Sequence, residues 1–275
     1  IVGSYLGPPA PAAQHRAPPR KPKAGPSLLR NRYVVLIFGY TLLWWVTFFF
    51  ADNIFFDRAA AQYPDAAQLT SFIGRLLSAT GVIALITTTF LTHRILGRYG
   101  LWAGLLAEPV VVTVGIAALA ISGSVGGAVA LLFWWATLSK LTSVALGFSL
   151  SQSATLVAYQ PLTGDQRGRV QTLAEGIVQP LAIGLAGLML LLLNNLLGLK
   201  AVGLAFVFLV IAIPWITVII LLVRQYPAAL AQAIAKRRWG ETSLSLLDQA
   251  SLDILQRGLR DPHPGAAIYA LNALE

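Results

Sequence analysis

The sequence predicts an all-α membrane protein, a six-helix transmembrane bundle, and three observations carry that prediction. First, only 11% of the 275 residues are Asp, Glu, Lys or Arg, against about 25% in soluble domains. A mean hydropathy of +0.70 over that length exceeds what one water-soluble core can hide. Second, six apolar runs recur, each long enough to cross a hydrocarbon core of about 30 Å. Third, Lys and Arg alternate between the two sides of these runs as the positive-inside rule requires.

Residues 1–30 precede the first run. Their Pro, Ala and basic side chains, as in the stretch PPAPAAQHRAPPRKPKAGPS at 8–27, have no apolar period and read as an extended cytoplasmic linker. The bundle then occupies 31–225. Its runs are Tyr33–Phe56, Leu69–Leu91, Tyr99–Ile121, Ala128–Leu150, Val170–Leu193 and Ala201–Val223. One side collects Arg16, Arg20, Lys21, Lys23, Arg30, Arg32, Arg94, Arg98, Arg167, Arg169, Arg224, Lys236, Arg237 and Arg238. The other holds only Arg58 and Lys200. Fourteen against two places both termini in the cytoplasm.

After the last span, 226–250 reads as a juxtamembrane connector. Within it YPAALAQAIAKRRWG (226–240) suits an amphipathic helix at the membrane surface, with Trp239 as an interface anchor. Residues 251–275 read as two short helices. Leu252, Leu255 and Leu259 mark the first, Asp261-Pro262-His263-Pro264-Gly265 the turn, and Ile268, Leu271 and Leu274 the second. One such pair cannot bury its own apolar face, so further stacked repeats are expected beyond it. The chain opens with Ile1 and has no signal peptide, so a fragment with unnatural ends is expected.

A net charge of +9 with a pI near 10.2 raises nucleic-acid binding. The charges sit between apolar runs and follow topology, so no nucleic-acid partner is expected. The absence of Cys removes disulfides and thiolate metal sites. His15, His93 and His263 lie in linker, loop and turn without metal-ligand spacing, and there is no Walker loop. Neither an enzyme nor a cofactor is predicted.

Charges inside a bilayer cost about 2.5–3.5 kcal/mol on insertion scales, so each needs a reason. Lys140 lies about 18 Å from the outer end of the fourth run at helical rise, and Glu108 about 13 Å from the inner end of the third. The two therefore reach similar depth, with Glu175 about a turn shallower. Lys140 is expected to pair with Glu175 or Glu108, either to fix helix register or as part of a substrate or proton site. Asp52 and Arg75 fall near the outer surface on consecutive helices, which suggests a hairpin salt bridge or an outer gate. Gln152, Gln179 and Asn53 offer amides to a substrate or to neighbouring helices. The aromatic pairs Trp44-Trp45 and Trp134-Trp135 read as lipid-facing or packing residues.

Two resemblances extend this reading. The tail 251–275 resembles the start of a HEAT repeat, through its leucine spacing and its Asp-Pro-His-Pro turn. The membrane part has Ala51-Asp52 with Tyr63-Pro64 eleven residues beyond Asp52, then Ser71-Phe72-Ile73-Gly74 and Thr80-Gly81. Lys140, Ala158-Tyr159-Gln160-Pro161-Leu162 and Arg167-Gly168-Arg169 follow in order. Over residues 33–190 these pieces resemble the second half of the ATP/ADP translocase family of plastids and intracellular bacteria, a branch related to major facilitator transporters. The basic triplet looks like that family's Lys-Gly-Lys. On this resemblance the family's acidic residue in the first span falls on Asp52. Its Asp and Lys before the Tyr-Ile-Pro-Leu stretch fall on Gln152 and Thr155, and its Arg and Lys of the next span fall near Val178 and Leu181. A membrane part of this type joined to HEAT repeats resembles bacterial proteins that also carry a cyclic-nucleotide-binding domain.

The resemblance implies the C-terminal half of a secondary transporter in a bacterial inner (plasma) membrane. Such a half would move a small, anionic or nucleotide-like solute. Its partners would be the lipid bilayer, a missing N-terminal transporter half, the solute, and further HEAT repeats or a cytoplasmic regulatory domain. The alternative is a non-transporting membrane scaffold or sensor that anchors a HEAT-repeat array, a reading favoured by the missing cations.

Overall fold

A computed structural model describes residues 30–162 and 164–247, and the described residues are helical with no strand. The HEAT-like tail 251–275 and nearly all of the 1–30 linker lie outside them. Six helices are long and apolar enough to cross a membrane. They are α1 Arg32–Gln62, α2 Ala66–Phe90, α3 His93–Ser124, α4 Val129–Ala158, α5 Gln166–Asn195 and α6 Ala201–Leu247.

Local chemistry sets the helix starts. Asn31 caps α1, its side-chain oxygen accepting from the Tyr33 N–H at 3.0 Å, and Asp65 caps α2 by accepting from the Gln68 N–H at 3.0 Å. The second and third spans are joined without the loop that the apolar pattern suggested. Helical backbone continues through a π-helical turn at Thr87–Thr92 and into α3, so His93 is helical. The break falls on Gly100, whose φ of 73° and ψ of −166° suit glycine alone. At the far end, the sixth helix does not stop after Val223. It runs through Pro214 and Pro227 to Leu247, 47 residues in all, or about 70 Å at helical rise. The 226–247 part of the connector thus continues the last span. The surroundings of Trp239 lie outside the described residues.

Helix α1 is central and packs against α4, α5 and α6, while α3 packs against α4 and α6. Large side chains fill the middle, with Phe50, Ile54, Leu105, Ile116, Phe133, Phe208 and Trp215 all essentially inaccessible. Where α5 meets the bundle its buried residues are Val170, Ala174, Ala182, Ala186 and Leu190, at intervals of four or eight, so a seam with three alanines allows close approach. Glycines do the same between α3 and α4. A Cβ on Gly115 would strike Ser139 Oγ, and one on Gly104 would lie 2.7 Å from the Ala154 methyl. Two hydrogen bonds tie the ends of the bundle. Tyr33 Oη donates to the Ala158 carbonyl at 2.6 Å, and the Ala201 N–H donates to Asp57 at 3.2 Å. The start of α1 therefore meets the end of α4, and the end of α1 meets the start of α6, as alternating spans require.

Burial is uneven. Half of the most apolar window of α3 is buried, but only 17% of that of α5 and 6% of that of α2. Helix α2 packs chiefly on α4 and turns most of its surface outward.

Candidate functional site

Three helices bring polar and aromatic side chains to one place. On α1, Tyr40, Trp44, Phe48 and Asp52 follow one another at intervals of four and so share a face. On α4, a π-helical turn at Gly147–Ser151 widens the helix and presents Phe148, Ser151, Gln152, Thr155 and Tyr159. On α5, a second π-helical turn at Ala174–Val178 carries Glu175 between Gln171 and Gln179, again at intervals of four. Between these faces lies an open cavity of about 240 Å³ lined by Tyr40, Trp44, Trp45, Phe148, Gln152, Thr155, Gln171, Glu175 and Gln179 among others. Among the described residues, no Lys or Arg lines it.

The aromatic wall is continuous. Trp44 meets Trp45 edge-on at 4.8 Å between ring centroids and Phe148 at 5.8 Å, and Phe48 meets Phe148 at 6.0 Å. Thr155 donates to the Ser151 carbonyl at 2.7 Å and lies 3.4 Å from Tyr40 Oη, holding α4 to α1 beside the cavity. Gln171 Nε2 donates to Glu175 at 2.9 Å, which orients that exposed carboxylate.

The sequence candidates divide into groups. Gln152, Glu175 and Gln179 come together in the cavity. Glu108 lies just behind it, 1% exposed, and Trp44 Nε1 donates to its two oxygens at 3.1 and 2.9 Å. Lys140 is paired, but neither with Glu108 nor with Glu175. Its ammonium is ion-paired with Asp52 and sits 4.8 Å from the centre of the Phe48 ring. The reason is register. Gly115 opposes Ser139 and Gly147 opposes Glu108, so Lys140 lies seven residues, about 10 Å, along α4 from the glutamate. Arg75 does not bridge to Asp52. It is exposed, donates to Ser71 Oγ at 2.9 Å, and borders a separate cavity of about 420 Å³ with Tyr63 and Phe72. Asp52 was free for Lys140 because α1 continues to Gln62, which puts Asp52 ten residues, about 15 Å, inside the helix end. Asn53 accepts from Asn194 at 3.5 Å and so faces α5 rather than the cavity.

Sequence reading missed Tyr40, Trp44, Ser151, Tyr159 and Gln171. Trp44, taken as lipid-facing or packing, is a cavity wall and a hydrogen-bond donor. The usable signal was the interval of four: Gln171, Glu175 and Gln179 form one polar stripe on an otherwise apolar helix.

Residues 23–226 match the family model described as TLC ATP/ADP transporter. The chain belongs to that family. Within the TLC family it is 23% identical over 261 residues to ADP,ATP carrier protein 2 of Chlamydia pneumoniae, covering 86% of this chain and 48% of that one. It is 22% identical over 219 residues to the ADP,ATP carrier protein 2 of Chlamydia trachomatis serovar D, covering 73% of this chain and 40% of that one. The chain thus spans about half the length of the curated relatives it matches. No solved structure matches it. TLC proteins are carriers of the membrane, so the chain is an integral membrane protein and not an enzyme.

Proposed function

We propose that this chain forms one six-helix half of a secondary transporter for a nucleotide-like solute, the base end of which occupies the cavity between α1, α4 and α5. The observation that carries the reading is the character of that cavity, placed within a TLC-family membrane domain. Aromatic side chains offer stacking faces to a base, at about 1–3 kcal/mol per base. Gln152, Gln171 and Gln179 offer amides to its edge and to a ribose. A volume of about 240 Å³ falls below the range of roughly 300–1,000 Å³ for complete small-ligand sites, as suits a half-site closed from the other side. The outward faces of α2 and α5 suit a second bundle of major facilitator type, which would be the N-terminal half and would supply cations for the phosphates.

The basic ends of the spans orient the bundle with both termini in the cytoplasm. The continuous helix α6 would then carry any HEAT-type regulatory extension as a rigid arm. The test is nucleotide uptake into proteoliposomes holding the native protein, with Gln152→Ala and Gln179→Ala beside it. Uptake that these changes weaken supports the reading. Neither uptake nor binding of any nucleotide by a folded, inserted protein would leave the scaffold alternative in its place.

A further inference from the structure

We infer that Glu108, Trp44 and Ser151 form a proton-binding site in the wall of the cavity, and that protonation of Glu108 is what lets the cavity accept an anionic solute. The second half of this inference rests on the transport reading above; the first half does not.

Glu108 is 1% exposed on α3. The ion pairs among the described residues are Lys140 with Asp52 and Arg58 with Asp57, so no cation within reach compensates this carboxyl. A carboxylate buried without a cation is expensive, and it becomes affordable by taking up a proton. The surroundings fit a carboxyl that changes state. Trp44 Nε1 donates to both oxygens and serves either form. Gly147 leaves room for the group, since a Cβ there would lie 2.9 Å from Glu108 Oε1. Ser151 lies one turn beyond Gly147 on the same helix, and its Oγ is buried with no hydrogen-bond partner among the described residues.

The link to the solute site is direct. Trp44, Gly147 and Ser151 all line the cavity, so the three groups around Glu108 are also cavity wall. Ser151 is placed to pass a proton between cavity water and Glu108. The O–H bond formed at the carboxylate uses a proton taken from a hydronium of the cavity, which leaves water, and the reverse step returns it there. No other bond changes.

Other charged or titratable groups around the site are few. Tyr40 of α1 and Ser143 of α4 lie one turn before Trp44 and Gly147, the residues that meet Glu108. Lys140 and Asp52 neutralise each other further along α4 and α1. Tyr159 of α4 and Glu175 of α5 lie on the cavity. Between Ala201 and Val223, α6 has no ionisable residue. From α2, Arg75 faces the separate cavity. With Glu108 ionised, the cavity faces two carboxylates and, among the described residues, no cation, which repels an anion. Protonation removes one of those charges. By linkage, anion binding and proton binding at Glu108 then strengthen each other equally.

The experiment measures equilibrium binding of ADP to the full purified protein across a pH series, for wild type and Glu108→Gln. In parallel, infrared spectroscopy follows the carboxylic-acid C=O stretch. The glutamine is isosteric and keeps an acceptor for Trp44. Phosphate groups of ADP titrate near pH 6, but equally for both proteins, so the difference isolates Glu108. Expected for wild type is roughly tenfold tighter binding on acidification. Glu108→Gln is expected to hold the tight value throughout and to lack one acid band that wild type shows. Ser151→Ala should keep the band and slow its hydrogen–deuterium exchange. An unchanged pH dependence in Glu108→Gln overturns the admission mechanism, and the absence of a Glu108 acid band at any pH overturns the proton site. If the band titrates while no nucleotide binds at any pH, the transport reading fails and the proton site stands.

Discussion

Lys140 of α4 is ion-paired with Asp52 of α1 inside the bundle, and the pair locks the two helices that wall the cavity into one register. Both side chains are mostly withdrawn from solvent, and Phe48, one turn before Asp52, covers the ammonium. An aromatic face and a carboxylate together replace the water that the ammonium would lose in a bilayer. The pair consumes the only Lys of the fourth span, so the cation does not project into the cavity.

Removing one partner should therefore cost more than removing both. Lys140→Gln or Asp52→Asn alone leaves a buried, uncompensated charge and should destabilise by about 3–5 kcal/mol. The double variant should recover most of that loss. Unfolding free energies of the three variants in detergent provide the double-mutant cycle. Additive losses would mean that the two charges are separately solvated.

Close packing of α3 on α4 gives a second expectation. Gly115→Val would drive a branched side chain into Ser139 and should cost about 1–3 kcal/mol or shift the helices apart. Gly74→Ala on α2 has nothing within 4 Å of the new methyl group and should leave stability unchanged or slightly raised. Thermal unfolding of the two variants side by side checks this, and equal losses would contradict the α3–α4 contact.

The six spans were legible because lipid acts as a one-sided solvent: a crossing needs about 20 apolar residues whatever it packs against. Helix ends were less legible. The runs placed a loop around His93 and ended the last span at Val223, with a separate surface helix over 226–240, but the backbone stays helical through both places, since its hydrogen bonding does not depend on apolar side chains. Partners were the least legible. Depth along each helix puts Glu108 and Lys140 near one level, yet the α3–α4 register and the length of α1 decide that Lys140 meets Asp52. Those are tertiary facts. Trp44, read as lipid-facing or packing, does pack against Trp45 and Phe148; its hydrogen bond to Glu108 was not legible, because the carboxyl comes from another helix.

Alternation of the spans leads to a topology test. Reporter fusions at Gly25, Gly97, Gly164 and Arg237 should report cytoplasm, and those at Ala61, Ser124 and Asn195 the opposite side. Gly97, before the break at Gly100, and Ser124, the last residue of α3, bracket the third crossing, so they are the informative pair. A cytoplasmic signal at Ser124 would remove the third and fourth spans as separate crossings.

The chain contains no Cys, so single cysteines can be placed and read without a background. Gln152, Gln171 and Gln179 line the cavity, whereas Leu181, two residues after Gln179, is 64% exposed on an apolar surface. If the cavity holds water, a charged, membrane-impermeant maleimide should label Gln152→Cys, Gln171→Cys and Gln179→Cys. It should fail at Leu181→Cys, where exposure is to lipid and the thiolate needed for reaction does not form. Gln171 lies two residues from Arg169, on the basic end of α5, so labelling should come from the cytoplasmic side in inside-out vesicles and be weak in right-side-out cells. A nucleotide seated in the cavity should slow labelling at Gln152→Cys and Gln179→Cys, while inorganic phosphate alone should not, because no cation among the described residues lines the site. Failure to label at Gln152→Cys, Gln171→Cys and Gln179→Cys, as at Leu181→Cys, would mean that the space between α1, α4 and α5 holds no water, and the cavity would then be no route for a polar solute.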